Sequence, residues 1–240
     1  MEVKVFKNYE TLSKAAAEAV INQVKEDSNS IIGLATGSSP IGIYDEMIKD
    51  YQNHHTSYQN IKTFNLDEYY GINQDHSQSY YHFMMKHLFK HIDIKQENIH
   101  IPNGSISDID SECDSYNRML EENQIDIQIL GIGSNGHIGF NEPGTSFQST
   151  THYVKLDEKT RSDNARFFAS IEEVPKHAVT MGIQNILNSN KIILVASGKN
   201  KADAVYQMVK GPLDSSCPAS ALQMHDNVTV YVDEEAASKL

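Results

Sequence analysis

Apolar residues along the chain fall into short solid runs, separated by stretches in which they recur with helical spacing. Val3–Phe6, Ser30–Ala35, Ile61–Leu66, Ile125–Leu130, Lys191–Ala196 and Val228–Val232 are too short for buried helices and read as strands. Between them, Tyr9–Lys25 places Leu12, Ala16, Val20 and Val24 on one helical face, and Pro40 opens a helix that runs through Tyr44, Met47 and Ile48. Further helices are predicted over Gln78–His91, Asp108–Glu122, Glu158–Phe168, Lys201–Lys210, Pro218–Gln223 and Asp233–Lys239. Strands that alternate with helices in this way imply an α/β fold with a mostly parallel sheet covered on both faces. Neither an internal repeat nor a low-complexity linker interrupts the 240 residues, so one domain is expected.

Three of these strands run into polar, chemically equipped loops, and the ends of parallel strands are where open α/β sheets bind ligands. The fullest loop is Leu130–Gly144, LGIGSNGHIGFNEPG, in which His137 and Glu142 can move protons. Its Gly131–Gly136 segment fits the G-x-G-x-x-G spacing of a dinucleotide site, but Gly139 and Pro143 stand where that motif needs a continuous helix. Thr36-Gly37-Ser38-Ser39-Pro40 at a helix start offers N–H groups, two Ser hydroxyls and the helix dipole to an anion. It lacks the Gly-Lys-Ser/Thr ending of a nucleotide loop, which favours a phosphomonoester over ATP. Asp67 and Glu68 end a third strand and suit either a general base or a helix cap. His87 and His91 share a predicted helix face, with no third ligand at metal spacing. The polar segment 145–185, beside the Gly-rich loop, is expected to form a mobile lid.

Charge narrows the partners. A net charge of −12 opposes binding to nucleic acid or anionic membranes, while leaving room for a small anionic substrate in a locally basic pocket. Cys113 and Cys217 form no metal or redox spacing, and no secretory or membrane-spanning segment is seen, so a cytoplasmic protein is expected.

The motif set as a whole resembles the glucosamine-6-phosphate deaminase family over nearly the entire chain. It comprises LATGSSP (34–40), FNLDEYYG (64–71), GIGSNGHIGFNEPG (131–144), NARFF (164–168), SGKNKA (197–202) and SALQMH (220–225). The resemblance implies a Rossmann-like three-layer αβα sandwich and conversion of glucosamine 6-phosphate and water into fructose 6-phosphate and ammonia, without metal or cofactor. It assigns proton transfer between neighbouring carbons to Asp67 and ring opening to His137, with Glu142 and Asn135 in the His137 relay. Phosphate is assigned to Thr36, Gly37, Ser38, Ser39, Arg166 and Lys201.

Two departures bear on mechanism. Many members carry Asp at the position of Asn135; an Asn orients an imidazole but does not stabilise its charge, which shifts weight to Glu142. Allosterically activated members place basic residues where this chain has His152 and Val154, and extend beyond the position of Leu240, so a non-allosteric enzyme is expected. The rivals are 6-phosphogluconolactonase, whose loop lacks Phe-Asn-Glu-Pro, a galactosamine-6-phosphate deaminase or isomerase, and a sugar-phosphate sensor. Monomer and homo-oligomer both stay open.

Overall fold

The computed structural model describes residues 1–240, the side chain of Phe167 excepted. In chain order the elements are β1 (Glu2–Phe6), α1 (Tyr9–Glu26), β2 (Ile31–Leu34), α2 (Ile41–Gln52), β3 (Lys62–Asn65), β4 (Asp67–Tyr69), α3 (Tyr80–His87) and β5 (Ile99–His100). There follow α4 (Ile109–Glu122), β6 (Ile127–Leu130), β7 (His152–Lys155), α5 (Glu158–Asn164), β8 (His177–Thr180), α6 (Ile183–Leu187), β9 (Ile192–Ala196), α7 (Ala202–Lys210) and β10 (Val228–Asp233).

Seven strands form a wholly parallel sheet in the order β1-β10-β9-β6-β2-β3-β5. Every residue of β6, β9 and β10 is buried, as strands covered on both faces must be. Alternation along β6 and β9 divides their side chains between two cores. Ile129 and Ile193 join Leu12, Ile32 and Tyr44 under α1 and α2, whereas Leu130 and Leu194 join Phe64, Tyr116 and Val205 on the opposite face. The expected α/β sandwich is what forms.

The connections reverse between β2 and β6. From β2 the chain proceeds outward to β3 and β5; from β6 the sheet continues to β9 and β10 on the other side. Such a reversal opens a crevice above the carboxyl ends of the two strands, because their loops diverge. The Thr36–Ser39 loop follows β2 there, and the Gly131–Gly144 loop follows β6.

A second sheet, β4-β8-β7, is antiparallel and was not expected from the sequence. Leu66 joins the two sheets: its N–H donates to Leu34 O of the large one at 3.0 Å, and its carbonyl accepts Met181 N just beyond β8 at 2.7 Å. Asp67 is the next residue and therefore stands at the seam between the sheets.

Other boundaries also differ from expectation. The helix predicted to His91 ends at His87, with a 3-10 turn over Phe89–His91. The one predicted over Glu158–Phe168 is helical to Asn164 and tightens to 3-10 over Ala165–Phe167. Pro218–Met224 is 3-10, not α. The terminal helix over Asp233–Lys239 is absent: Asp233 completes β10, its carboxylate accepts Ser197 Oγ, Gly198 N and Ala236 N, and only turns follow. Among the described residues, no helix is long and apolar enough to cross a membrane.

Candidate active site

Asp67 and Glu68 are adjacent, buried carboxylates, 5% and 3% exposed, and the strand's two-residue period sends them in opposite directions. Glu68 caps α3. Its carboxylate accepts the N–H groups of Tyr80 at 2.9 Å and Tyr81 at 3.0 Å, together with Tyr69 N at 2.8 Å. Burial pushes its pKa up to about 7 despite those three donors. Asp67 faces the crevice, where Oδ2 passes 3.5 Å from the point at which a Cβ on Gly139 would stand. Burial, and then the neighbouring Glu68 charge, hold its carboxyl well above the usual aspartate range.

Beyond β6 no helix begins, so the dinucleotide geometry is not built. The loop folds back on itself: Gly133 N donates to His137 O at 2.9 Å, and Gly136 N to Gly133 O at 3.0 Å. His137 sits with its ring over Gly133. Asn141 ties the loop to itself and to the residue just beyond β8, its Nδ2 donating to Ile138 O at 2.9 Å and Met181 O at 2.8 Å. Gly139 turns between them at φ +56°, in the left-handed region that favours glycine.

Glu142 lies behind His137. Its Oε2 is 3.5 Å from His137 Nδ1 and accepts Asn135 Nδ2 at 3.1 Å. Burial acts to raise the Glu142 pKa, but His137, Thr160 and Asn135 more than offset it and leave the carboxyl below its ordinary value. Asn135 does not reach the imidazole through these bonds. It works on the backbone, where Oδ1 accepts His137 N at 3.3 Å, and on Glu142. Neither Asn135 nor Glu142 lines the crevice, whereas His137 does.

The crevice wall opposite is the Thr36–Ser39 loop with Arg166 and Lys201. Among the described residues, the N–H groups of Gly37, Ser38 and Ser39 donate to no protein acceptor. Arg166 Nη2 donates to Ser38 Oγ at 3.4 Å, and Lys201 Nζ donates to Ile132 O at 2.8 Å. Burial lowers the Lys201 pKa, and the nearby Asp163 charge offsets this only in part. Two cations, free N–H groups and hydroxyls together make an anion cradle.

All ten residues that the family resemblance assigns to the site thus fall in or directly behind one crevice, whereas Glu68, His87 and His91 do not line it. Sequence reasoning missed Thr160, whose Oγ1 is 3.4 Å from His137 Nδ1, and Tyr80, whose hydroxyl neighbours Thr36. A threonine in a polar helix and a tyrosine in an aromatic-rich one carry no sequence signal for those places. Asn164 lay within a quoted motif, but its bond to Tyr69 Oη at 3.0 Å is purely tertiary.

A family model described as glucosamine-6-phosphate isomerases/6-phosphogluconolactonase matches residues 7–231. A Clostridium novyi protein named glucosamine-6-phosphate deaminase is 55% identical, covering 100% of both chains. A solved structure described as a monomeric glucosamine-6-phosphate deaminase superposes with a TM-score of 0.98 at 49% identity, covering 100% of each chain. The 6-phosphogluconolactonase of Trypanosoma brucei superposes with a TM-score of 0.83, covering 100% of this chain and 98% of its own, at 18% identity. That last likeness concerns the fold alone.

Proposed function

The chain belongs to the family of glucosamine-6-phosphate isomerases and 6-phosphogluconolactonases, and we propose that it is a glucosamine-6-phosphate deaminase. The observation that carries this reading is the convergence of Asp67 and His137 in one crevice facing the Thr36–Ser39, Arg166 and Lys201 cradle.

His137 takes the proton of the anomeric hydroxyl and delivers one to the ring oxygen, opening the pyranose; Glu142 holds the imidazole and balances its charge. Asp67 then removes the proton from the amine-bearing carbon and returns it to the former anomeric carbon. The amine becomes an imine on the second carbon. Water adds there, the C–N bond breaks, and ammonia and fructose 6-phosphate leave. A buried carboxyl such as Asp67 ionises most readily when a cation comes close, and the substrate's own ammonium supplies one at the reacting carbon. A lactone has no such charge, which favours an amino sugar here. Within segment 145–185, α5 and the turn after it carry Thr160, Asn164 and Arg166 to the crevice, and this piece is the part that closes over substrate. The working form is a non-allosteric cytoplasmic enzyme.

The test is release of ammonia and fructose 6-phosphate from glucosamine 6-phosphate by chelator-treated protein. Galactosamine 6-phosphate and 6-phosphogluconolactone are run beside it. Equal amounts of both products from the glucosamine substrate alone are expected. Lactone hydrolysis without deamination would overturn the reading, and turnover of the galactosamine epimer alone would reassign the substrate.

A further inference from the structure

The anion cradle is held from outside by a residue that belongs to none of the loops around the crevice. Tyr9, the first residue of α1, reaches across to the loop after β2. Its hydroxyl lies 2.9 Å from both Ser38 O and Ser39 O, and it accepts Gly42 N at 2.9 Å. Its ring packs on the α1–α2 contact, where a Cβ on Gly42 would stand 3.2 Å from Tyr9 Cε1 and 2.4 Å from Ser13 Oγ.

These bonds decide which way the loop's peptides face. A trans peptide points its C=O and N–H in opposite directions. With Ser38 O turned outward to Tyr9, the N–H of the same peptide, that of Ser39, turns inward to the crevice. Ser39 O is also turned outward, and the following peptide has no N–H because Pro40 supplies its nitrogen. Gly42 N, a first-turn amide of α2, is consumed by the Tyr9 hydroxyl and is not offered to an anion. The α2 N-terminus therefore contributes less to the cradle than its position suggests, and the loop amides contribute more.

We propose that Tyr9 is a positioning residue for phosphate: its hydroxyl fixes the Ser38–Ser39 peptide so that the loop presents N–H, not C=O, to the substrate's phosphoryl group. Without the hydroxyl the peptide is free to flip, and a flipped peptide would aim a carbonyl oxygen at an anion. This rests on the deaminase reading only for the identity of the phosphate ester, because inorganic phosphate probes the same cradle.

The experiment compares Tyr9→Phe with the parent protein by direct binding of inorganic phosphate and by kinetics on glucosamine 6-phosphate. The Phe ring preserves the packing on Gly42 and Ser13. Loss of hydrogen bonds to three backbone groups is expected to weaken phosphate binding on the order of tenfold and raise KM similarly, with kcat changed less than about threefold. Tyr9→Ala should weaken phosphate binding no further than a few fold beyond Tyr9→Phe, because the hydroxyl is the active part. A Tyr9→Phe protein of lowered melting temperature but unchanged phosphate affinity would overturn the proposal and leave Tyr9 a packing residue. So would a fall confined to kcat. If neither protein turns over the amino sugar but the phosphate affinities differ as stated, the deaminase reading fails and this inference stands.

Discussion

His137 occupies space that exists only because residue 133 is glycine. A Cβ at that position would lie 2.3 Å from Cε1 and 2.4 Å from Nδ1 of the imidazole. The glycine spacing that mimics a dinucleotide motif in the sequence thus has a different task. It clears a shelf on which a histidine ring rests.

Gly133→Ala should accordingly displace His137 while sparing the cradle. A displacement of about 1 Å costs on the order of 100-fold in turnover. We expect kcat/KM for glucosamine 6-phosphate to fall by about that factor, with inorganic phosphate binding unchanged. An alanine variant of normal activity would mean that the ring position is not required for catalysis.

Asp67→Asn removes the base without removing the cradle. Turnover should fall by about 10²- to 10⁴-fold, as expected for loss of a general base, and inorganic phosphate should still compete with substrate. The parent protein carries a second signature. Burial raises the Asp67 pKa, so the base is protonated to a higher pH than an exposed aspartate. The acid limb of kcat/KM, which reports the free enzyme, should therefore lie well above about 4. A limb in the ordinary carboxylate range would exclude a buried carboxyl as the base.

Asn135→Asp would set a second carboxylate against Glu142 Oε2, where Asn135 Nδ2 now donates at 3.1 Å. Like charges at that separation share a proton, which raises the higher of the two apparent pKa values. The acid limb of the pH–rate profile should move to higher pH. Superimposable profiles for the two proteins would mean that Glu142 does not govern the state of His137.

Glu68 ties stability to pH. Its folded pKa of about 7 exceeds the ordinary 4.5, so the folded protein holds this proton more tightly than the unfolded chain does. The stabilisation is complete below the unfolded value and is lost as pH rises through the folded one. Between about pH 4.5 and 7 the loss should reach up to about 3 kcal/mol, read as a falling midpoint in denaturant titrations. Glu68→Gln should show a shallower decline over the same range, and a lower stability at pH 5 from loss of one acceptor at the α3 N-terminus. Parallel pH dependences in the two proteins would contradict this account.

What the sequence determined by itself was the large sheet and the places where chemistry could sit. Solid apolar runs such as Ile127–Leu130 and Ile192–Ala196 can be buried only on both faces, and polar residues directly after them must lie at strand ends. That argument located Thr36–Ser39, Asp67 and the His137 loop, and the motif resemblance added Arg166 and Lys201. Tertiary structure decided the rest. The segments His152–Lys155 and His177–Thr180 are polar enough to read as loop, and they become strands because β4 offers a partner for β8 and β8 one for β7. Asp67 and Glu68 are indistinguishable as a pair of letters; the pleat, and the α3 N-terminus waiting on one side, made one a cap and left the other for the crevice. The terminal acidic run reads as a helix start, yet the bonds of Asp233 to Ser197, Gly198 and Ala236 tie it to the end of β10. Tyr9, Thr160 and Gly133 act through contacts across 23 or more residues, or through the room they leave. Local periodicity reports which face of an element is buried, but not which distant group will meet it there.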